Sequence, residues 1–122
     1  MQKIGHYIDG ENVSGKSHRT SDVFNPATGE VQAKVSLATV DEMNRAVEIA
    51  AKAQPAWAAT NPQRRARVLM KFVDLLNRDM DKLAECLSRE HGKTLPDAAG
   101  DVIRGLEVVE YCIGAPQLLK GE

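Results

Sequence analysis

The sequence predicts an α+β chain, with strands and turns over residues 1–38 and three long helices over residues 39–122. Three observations carry this. Val31, Ala33, Val35 and Leu37 alternate with polar residues, which is strand periodicity. Thr39 and Glu42 stand at the spacing of a capping box, which opens a helix. Leu69, Phe72, Val73, Leu76, Met80, Leu83, Ala84 and Leu87 then hold a helical stripe for about five turns.

Each element has its own local signal. Tyr7 to Val13 reads as a tight hairpin, because Asp9-Gly10 supplies the positive φ angles of a two-residue turn. Residues 14–20 are polar and read as a loop, and Asp22-Val23-Phe24 as a short extended stretch. In Asn25-Pro26-Ala27-Thr28-Gly29 a proline fixes φ and a glycine relieves it, so this is a turn. These short strands show no evident partners to complete a sheet, and open edges invite aggregation.

The first helix continues through Met43, Ala46, Val47, Ala50 and Gln54 on one face, and Pro55 is expected to kink or end it, with Trp57 as an anchor. Asn61-Pro62 opens the second helix, as N-cap and first position. Gly92 is its C-cap. Thr94 with Asp97 caps the third, whose apolar positions are Ala98, Val102, Ile103, Leu106, Val109, Cys112 and Ile113. Gly100, Gly105 and Gly114 each cost about 1 kcal/mol in a helix interior, which suggests close packing against another backbone.

Composition sets limits on function. Hydrophobic residues at 43% and a net charge of −1 describe an ordinary globular chain with no basic field for nucleic acid or an anionic membrane. Arg64, Arg65 and Arg67 read as a solvated helix start. The first ten residues lack a secretory apolar segment, and no apolar run approaches the ~20 residues of a membrane span. The expectation is a soluble, cytoplasmic protein.

No dinucleotide fingerprint, phosphate loop, serine elbow or zinc motif occurs. His6, His18 and His91 are scattered and read as surface histidines. Cys86 and Cys112 lie beside apolar stripes and read as core residues. Cys86 is late in its helix, the wrong end of the dipole for a thiolate. Glu107 and Glu110 read as a solvated face. The residues therefore name no catalytic, cofactor-binding or metal site. Arg104, between Ile103 and Gly105, reads first as an ion-pair partner of Asp101 or Glu107, each three residues away. The other reading is an anion grip, for which guanidinium geometry suits a carboxylate.

Three stretches, in order, resemble the aldehyde dehydrogenase superfamily. They are Asn25-Pro26-Ala27-Thr28-Gly29-Glu30, the Trp57 segment leading into Arg64-Arg65-Ala66-Arg67-Val68-Leu69, and Glu90-His91-Gly92-Lys93. The third helix, Gly100 to Glu110, followed by Gly114-Ala115-Pro116, is similar to the methylmalonate-semialdehyde dehydrogenase branch. The resemblance implies that residues 1–122 are an incomplete N-terminal part of an α/β NAD-binding domain.

It further implies an enzyme of valine and inositol breakdown that oxidises methylmalonate or malonate semialdehyde with NAD and passes the acyl group to coenzyme A. In the family a cysteine thiolate attacks the aldehyde, and an asparagine side chain helps hold the oxyanion. Those groups, and the lysine and glutamates that hold the NAD ribose, lie beyond position 122 there. One residue carries over: Arg104 matches the arginine that binds the semialdehyde carboxylate, and a hydrogen bond to a charged group contributes about 1.5–3 kcal/mol. The segment alone is expected to be inactive and to bind no cofactor. Its partners would be the remainder of the enzyme chain and the small semialdehyde, with a homo-oligomer for the complete enzyme. Two other readings stay open: a segment of another aldehyde dehydrogenase branch, and a free-standing helical interaction module without enzyme activity.

Overall fold

The computed structural model describes residues 1–121; Glu122, which ends the expected helical part, lies outside the described residues. The chain divides into two compact units, Met1–Ala58 and the part from Ala59 onward.

In the first unit the strand predicted from alternation is β5 (Val31–Ser36), and it organises the sheet. Strand β1 (Gln2–Ile4) lies parallel to it on one side and β4 (Thr20–Phe24) antiparallel on the other. Strands β2 (His6–Ile8) and β3 (Glu11–Val13) form the expected hairpin. Asp9 and Gly10 at its tip have φ of 57° and 78°, the two left-handed residues that such a turn needs. The Asn25 turn is also as expected. Its side chain accepts from Ala27 N–H at 2.9 Å, and Gly29 N–H donates to Asn25 O at 2.8 Å.

The strands do have partners, contrary to expectation. Gln2, Lys3 and Ile4 pair with Ala33, Lys34 and Val35. Three residues are too short to show alternation, so the parallel pairing left no pattern in the sequence. The register gathers Ile4, Val23, Ala33 and Val35 on one face and Lys3, Asp22 and Lys34 on the other. Ala33 is buried, and Lys34 bonds Asp22 at 2.6 Å.

Helix α1 (Val40–Ala59) opens on the predicted capping box and does not end at Pro55. The imide nitrogen removes one backbone bond, and Ala56, Ala58 and Ala59 are strong helix formers around Trp57. No residue of α1 is buried, and Trp57 is exposed rather than an anchor.

The second unit holds four further helices, so the described residues form five where three were expected. They are α2 (Pro62–Arg78), α3 (Met80–His91), α4 (Leu95–Ile113) and α5 (Ala115–Leu118). The expected long helix divides at Asp79, which has φ −105° and ψ 16°. Asp79 N–H still donates to Leu75 O, and Leu83 N–H to Asp79 O, both at 3.0 Å. The interruption is one residue wide and leaves the apolar stripe in phase, so periodicity could not reveal it. Gly92 caps α3 in the left-handed conformation, and Thr94 caps α4, as predicted.

Helix α4 packs on α2 and α3. The buried residues here are Ala66, Ala84, Ala98 and Leu106, with Ala98 fully enclosed. Alanine at these positions lets the helices approach closely. Gly100 and Gly105 meet no other backbone among the described residues: apart from its chain neighbours and its own helix backbone, a Cβ built on either has no atom within 4 Å. Gly114 is a cap of α4, not an interior residue. An apolar groove of about 410 Å³ opens beside Gly105, walled by Phe72, Leu76, Leu83, Leu87 and Val109.

Candidate functional site

The fold gathers four charged residues, Lys93, Asp97, Asp101 and Arg104, where α3 turns into α4. Gly92 supplies the left-handed step (φ 76°) that ends α3. Ser88 Oγ then donates to Lys93 O at 2.6 Å, which ties the turn to the last turn of α3. Thr94 Oγ1 accepts from Asp97 N–H, and Pro96 stands in the first turn of α4. Lys93 is thereby aimed along the start of α4, where acidic residues follow at four-residue intervals.

Lys93 Nζ bonds Asp97 Oδ2 at 3.1 Å and also bonds Asp101 Oδ2. The other carboxylate oxygen of Asp101, Oδ1, accepts from Arg104 Nη1 at 2.9 Å. Exposure rises along this chain, from 20% for the Lys93 side chain to 36% for Asp101 and 75% for Arg104. The Asp101 bond, then the Asp97 bond, pushes the Lys93 ammonium above the ordinary lysine value. The Lys93 bond holds the Asp101 carboxyl below the usual carboxylate range.

Of the two partners predicted for Arg104, the structure selects Asp101. Its remaining guanidinium N–H groups have no protein partner among the described residues. The Lys93–Asp101 bond was not foreseen, because it joins residues eight apart across a turn. The available signal was the spacing Lys93, Asp97, Asp101, which continues a helical face back through the cap.

Other candidates fall elsewhere. Cys86 and Cys112 are exposed, not core, since the apolar stripes beside them are only half covered. Cys86 Sγ lies 3.6 Å from Glu90 Oε1. Glu107 and Glu110 are exposed, as are His18 and His91, but His6 is half-buried with an enclosed Nε2 that has no hydrogen-bond partner among the described residues. Arg64 and Arg67 are exposed; Arg65 is half-buried, so the solvated reading fails for it.

No three His, Cys, Asp or Glu side chains among the described residues come together as a metal site. No described helix is long and apolar enough to cross a membrane. Helices α1, α3 and α4 each carry an acidic residue in the first turn; the Glu42 carboxylate accepts from its cap's Thr39 N–H, whereas the Asp97 carboxylate pairs with Lys93.

Residues 13–122 match the family described as the aldehyde dehydrogenase family. Over the whole chain, 47% of residues are identical to a malonate-semialdehyde dehydrogenase of Pseudomonas aeruginosa. Over 95% of the chain, 45% are identical to a Dictyostelium discoideum protein named as a probable mitochondrial, acylating methylmalonate-semialdehyde/malonate-semialdehyde dehydrogenase. Among solved structures, a Sinorhizobium meliloti 1021 protein, provisionally described as a methylmalonate-semialdehyde dehydrogenase and complexed with NAD, superposes on the whole chain. The TM-score is 0.95 and the identity 63%, and the match spans 25% of that protein. A methylmalonate-semialdehyde dehydrogenase from Oceanimonas doudoroffii superposes with a TM-score of 0.87 at 44% identity, again over 25% of its length. The chain spans about a quarter of these relatives and matches their N-terminal part.

Proposed function

Because the chain belongs to the aldehyde dehydrogenase family, we propose that it is the N-terminal scaffold segment of an NAD-dependent, coenzyme A-acylating dehydrogenase of malonate or methylmalonate semialdehyde. Arg104 grips the substrate carboxylate. The observation that carries the reading is identity of 40% or more, along the full chain, to proteins named as malonate-semialdehyde dehydrogenases. The arginine that the resemblance singled out stands exposed on α4, and most of its guanidinium fork has no partner among the described residues.

The segment contributes no reacting group. Cys86 sits late in α3, where the helix dipole disfavours a thiolate, and its likeness to the family does not extend to the nucleophile. Oxidation and acyl transfer belong to the remainder of the enzyme chain, so residues 1–122 alone are inactive. The apolar groove beside Gly105 supports this reading, since a surface of Phe72, Leu83 and Leu87 gains stability when another part of a protein covers it. The complete enzyme is a homo-oligomer that serves valine or inositol breakdown, in the cytoplasm.

The chemistry at Arg104 is recognition. A planar guanidinium binds a carboxylate through two parallel N–H bonds, which a neutral aldehyde cannot use. In the full-length enzyme Arg104→Ala is expected to lower kcat/KM for malonate semialdehyde by roughly tenfold to a hundredfold relative to propanal. Equal losses on both aldehydes would refute the grip. Product analysis with and without coenzyme A tests the acylating assignment, which predicts acetyl-coenzyme A from malonate semialdehyde.

A further inference from the structure

Arg104 is long, exposed and held at one atom, and what holds it is itself held. We infer that Asp101 is a positioning residue for substrate recognition: anchored by Lys93 through Oδ2, it fixes the Arg104 guanidinium through Oδ1. The inference rests on the carboxylate-grip reading of Arg104.

A free arginine side chain samples many rotamers, and binding must select one of them. Asp101 makes part of that selection in advance. It engages Nη1 alone at 2.9 Å, one donor of the five that a guanidinium carries. A substrate carboxylate can therefore take two of the remaining donors without displacing Asp101. Asp101 is a fixed post because it is three residues from Arg104 on the same helix and its other oxygen is bonded to the least exposed charge of the group.

Charge makes Lys93 a necessary part of this. A lone carboxylate beside Arg104 would orient it but cancel much of its attraction for an anion. Lys93 Nζ offsets the Asp101 charge on the side away from Arg104. Asp97 also draws on Lys93, but its side chain is 62% exposed and is largely screened by water. The guanidinium is thus oriented by a carboxylate whose field is compensated from behind.

The test measures Asp101→Asn, Asp101→Glu and Arg104→Ala in the full-length enzyme, with malonate semialdehyde and with propanal. Asp101→Asn keeps the shape and removes the charge. It should raise KM for malonate semialdehyde about fivefold while kcat on that substrate changes less than twofold, because an orienting contact acts on binding. KM for propanal should not follow. Asp101→Glu, which keeps a carboxylate between the two cations, should recover most of the loss. The inference is overturned if Asp101→Asn leaves KM for malonate semialdehyde within twofold, if both substrates weaken equally, or if Asp101→Glu is as impaired as Asp101→Asn. Arg104→Ala separates the two levels. If it is selective and Asp101→Asn is not, the positioning role alone falls. If Arg104→Ala is itself unselective, the grip falls and the positioning role falls with it.

Discussion

Thr39 and Glu42 bond each other in both directions. Thr39 N–H donates to Glu42 Oε2 at 2.9 Å, and Glu42 N–H donates to Thr39 Oγ1 at 3.1 Å. The pair closes the start of a helix that has no buried residue, so α1 depends on its cap more than a well-packed helix would. Thr39→Ala should cost about 1 kcal/mol, read as faster amide hydrogen exchange in the first turn of α1. The Thr39 N–H bond also lowers the Glu42 pKa. Its contribution is present above the ordinary glutamate value and lost as pH falls below it. Protection of the first turn should decline through that window, and an unchanged exchange pattern from pH 6 to pH 3 would contradict the assignment.

Asp79 joins α2 to α3 and bonds Arg78 at 2.5 Å and Lys82 at 3.2 Å. The Arg78 bond, then the Lys82 bond, lowers its pKa to about 2. A depressed carboxylate stabilises the fold above its unfolded value, near pH 4, and the contribution disappears as pH falls toward 2. Asp79→Asn should therefore differ from the parent at pH 5 and converge with it near pH 2. Parallel pH curves for the two proteins would refute the pairing.

Gly92 holds φ 76° at the end of α3. A Cβ there costs about 1–2 kcal/mol, so Gly92→Ala should lower the melting temperature, whereas Gly121→Ala should not. Equal, small effects would mean that the turn reorganises.

Lys93 is bonded by two carboxylates that raise its pKa. A raised lysine stabilises below the ordinary lysine value, and its contribution is lost as pH climbs through the folded one. The gap in melting temperature between the parent and Lys93→Met should be constant from pH 6 to 9 and shrink as pH climbs past the ordinary lysine value. A gap that does not shrink with rising pH would assign Lys93 a packing role instead.

Ala98 is fully enclosed in the contact of α4 with its neighbours. Ala98→Leu forces those helices apart and should cost about 1–3 kcal/mol, measured by chemical denaturation. A neutral result would show that the helices yield.

These residues also mark what the sequence could disclose. Asp9-Gly10, Thr39 with Glu42, Gly92, and Thr94 with Asp97 act within four residues of chain, and each was legible because its cause is local. The β1–β5 pairing, the interruption at Asp79 and the Lys93–Asp101 bond were not. One depends on a distant strand, one preserves the phase of the stripe, and one crosses a turn. Cys86 and Cys112 were misplaced for a related reason: adjacency to an apolar stripe places a residue in a core only where something covers the stripe. At the site, spacing offered Asp101 and Glu107 equally to Arg104, and the substrate role came from likeness to a family.

The parallel pairing of β1 with β5 has a kinetic consequence. Gln2 meets Ala33 only after roughly thirty residues have been looped out, whereas α3 and α4 are joined by a three-residue turn. Loop closure slows distant contacts and favours adjacent ones. The helical hairpin around Gly92 should therefore acquire structure early in refolding, and the N-terminal strand should dock last. Until that strand arrives, one flank of β5 is an open edge, and the lag between the two events sets how long the nascent molecule is exposed to strand-mediated self-association.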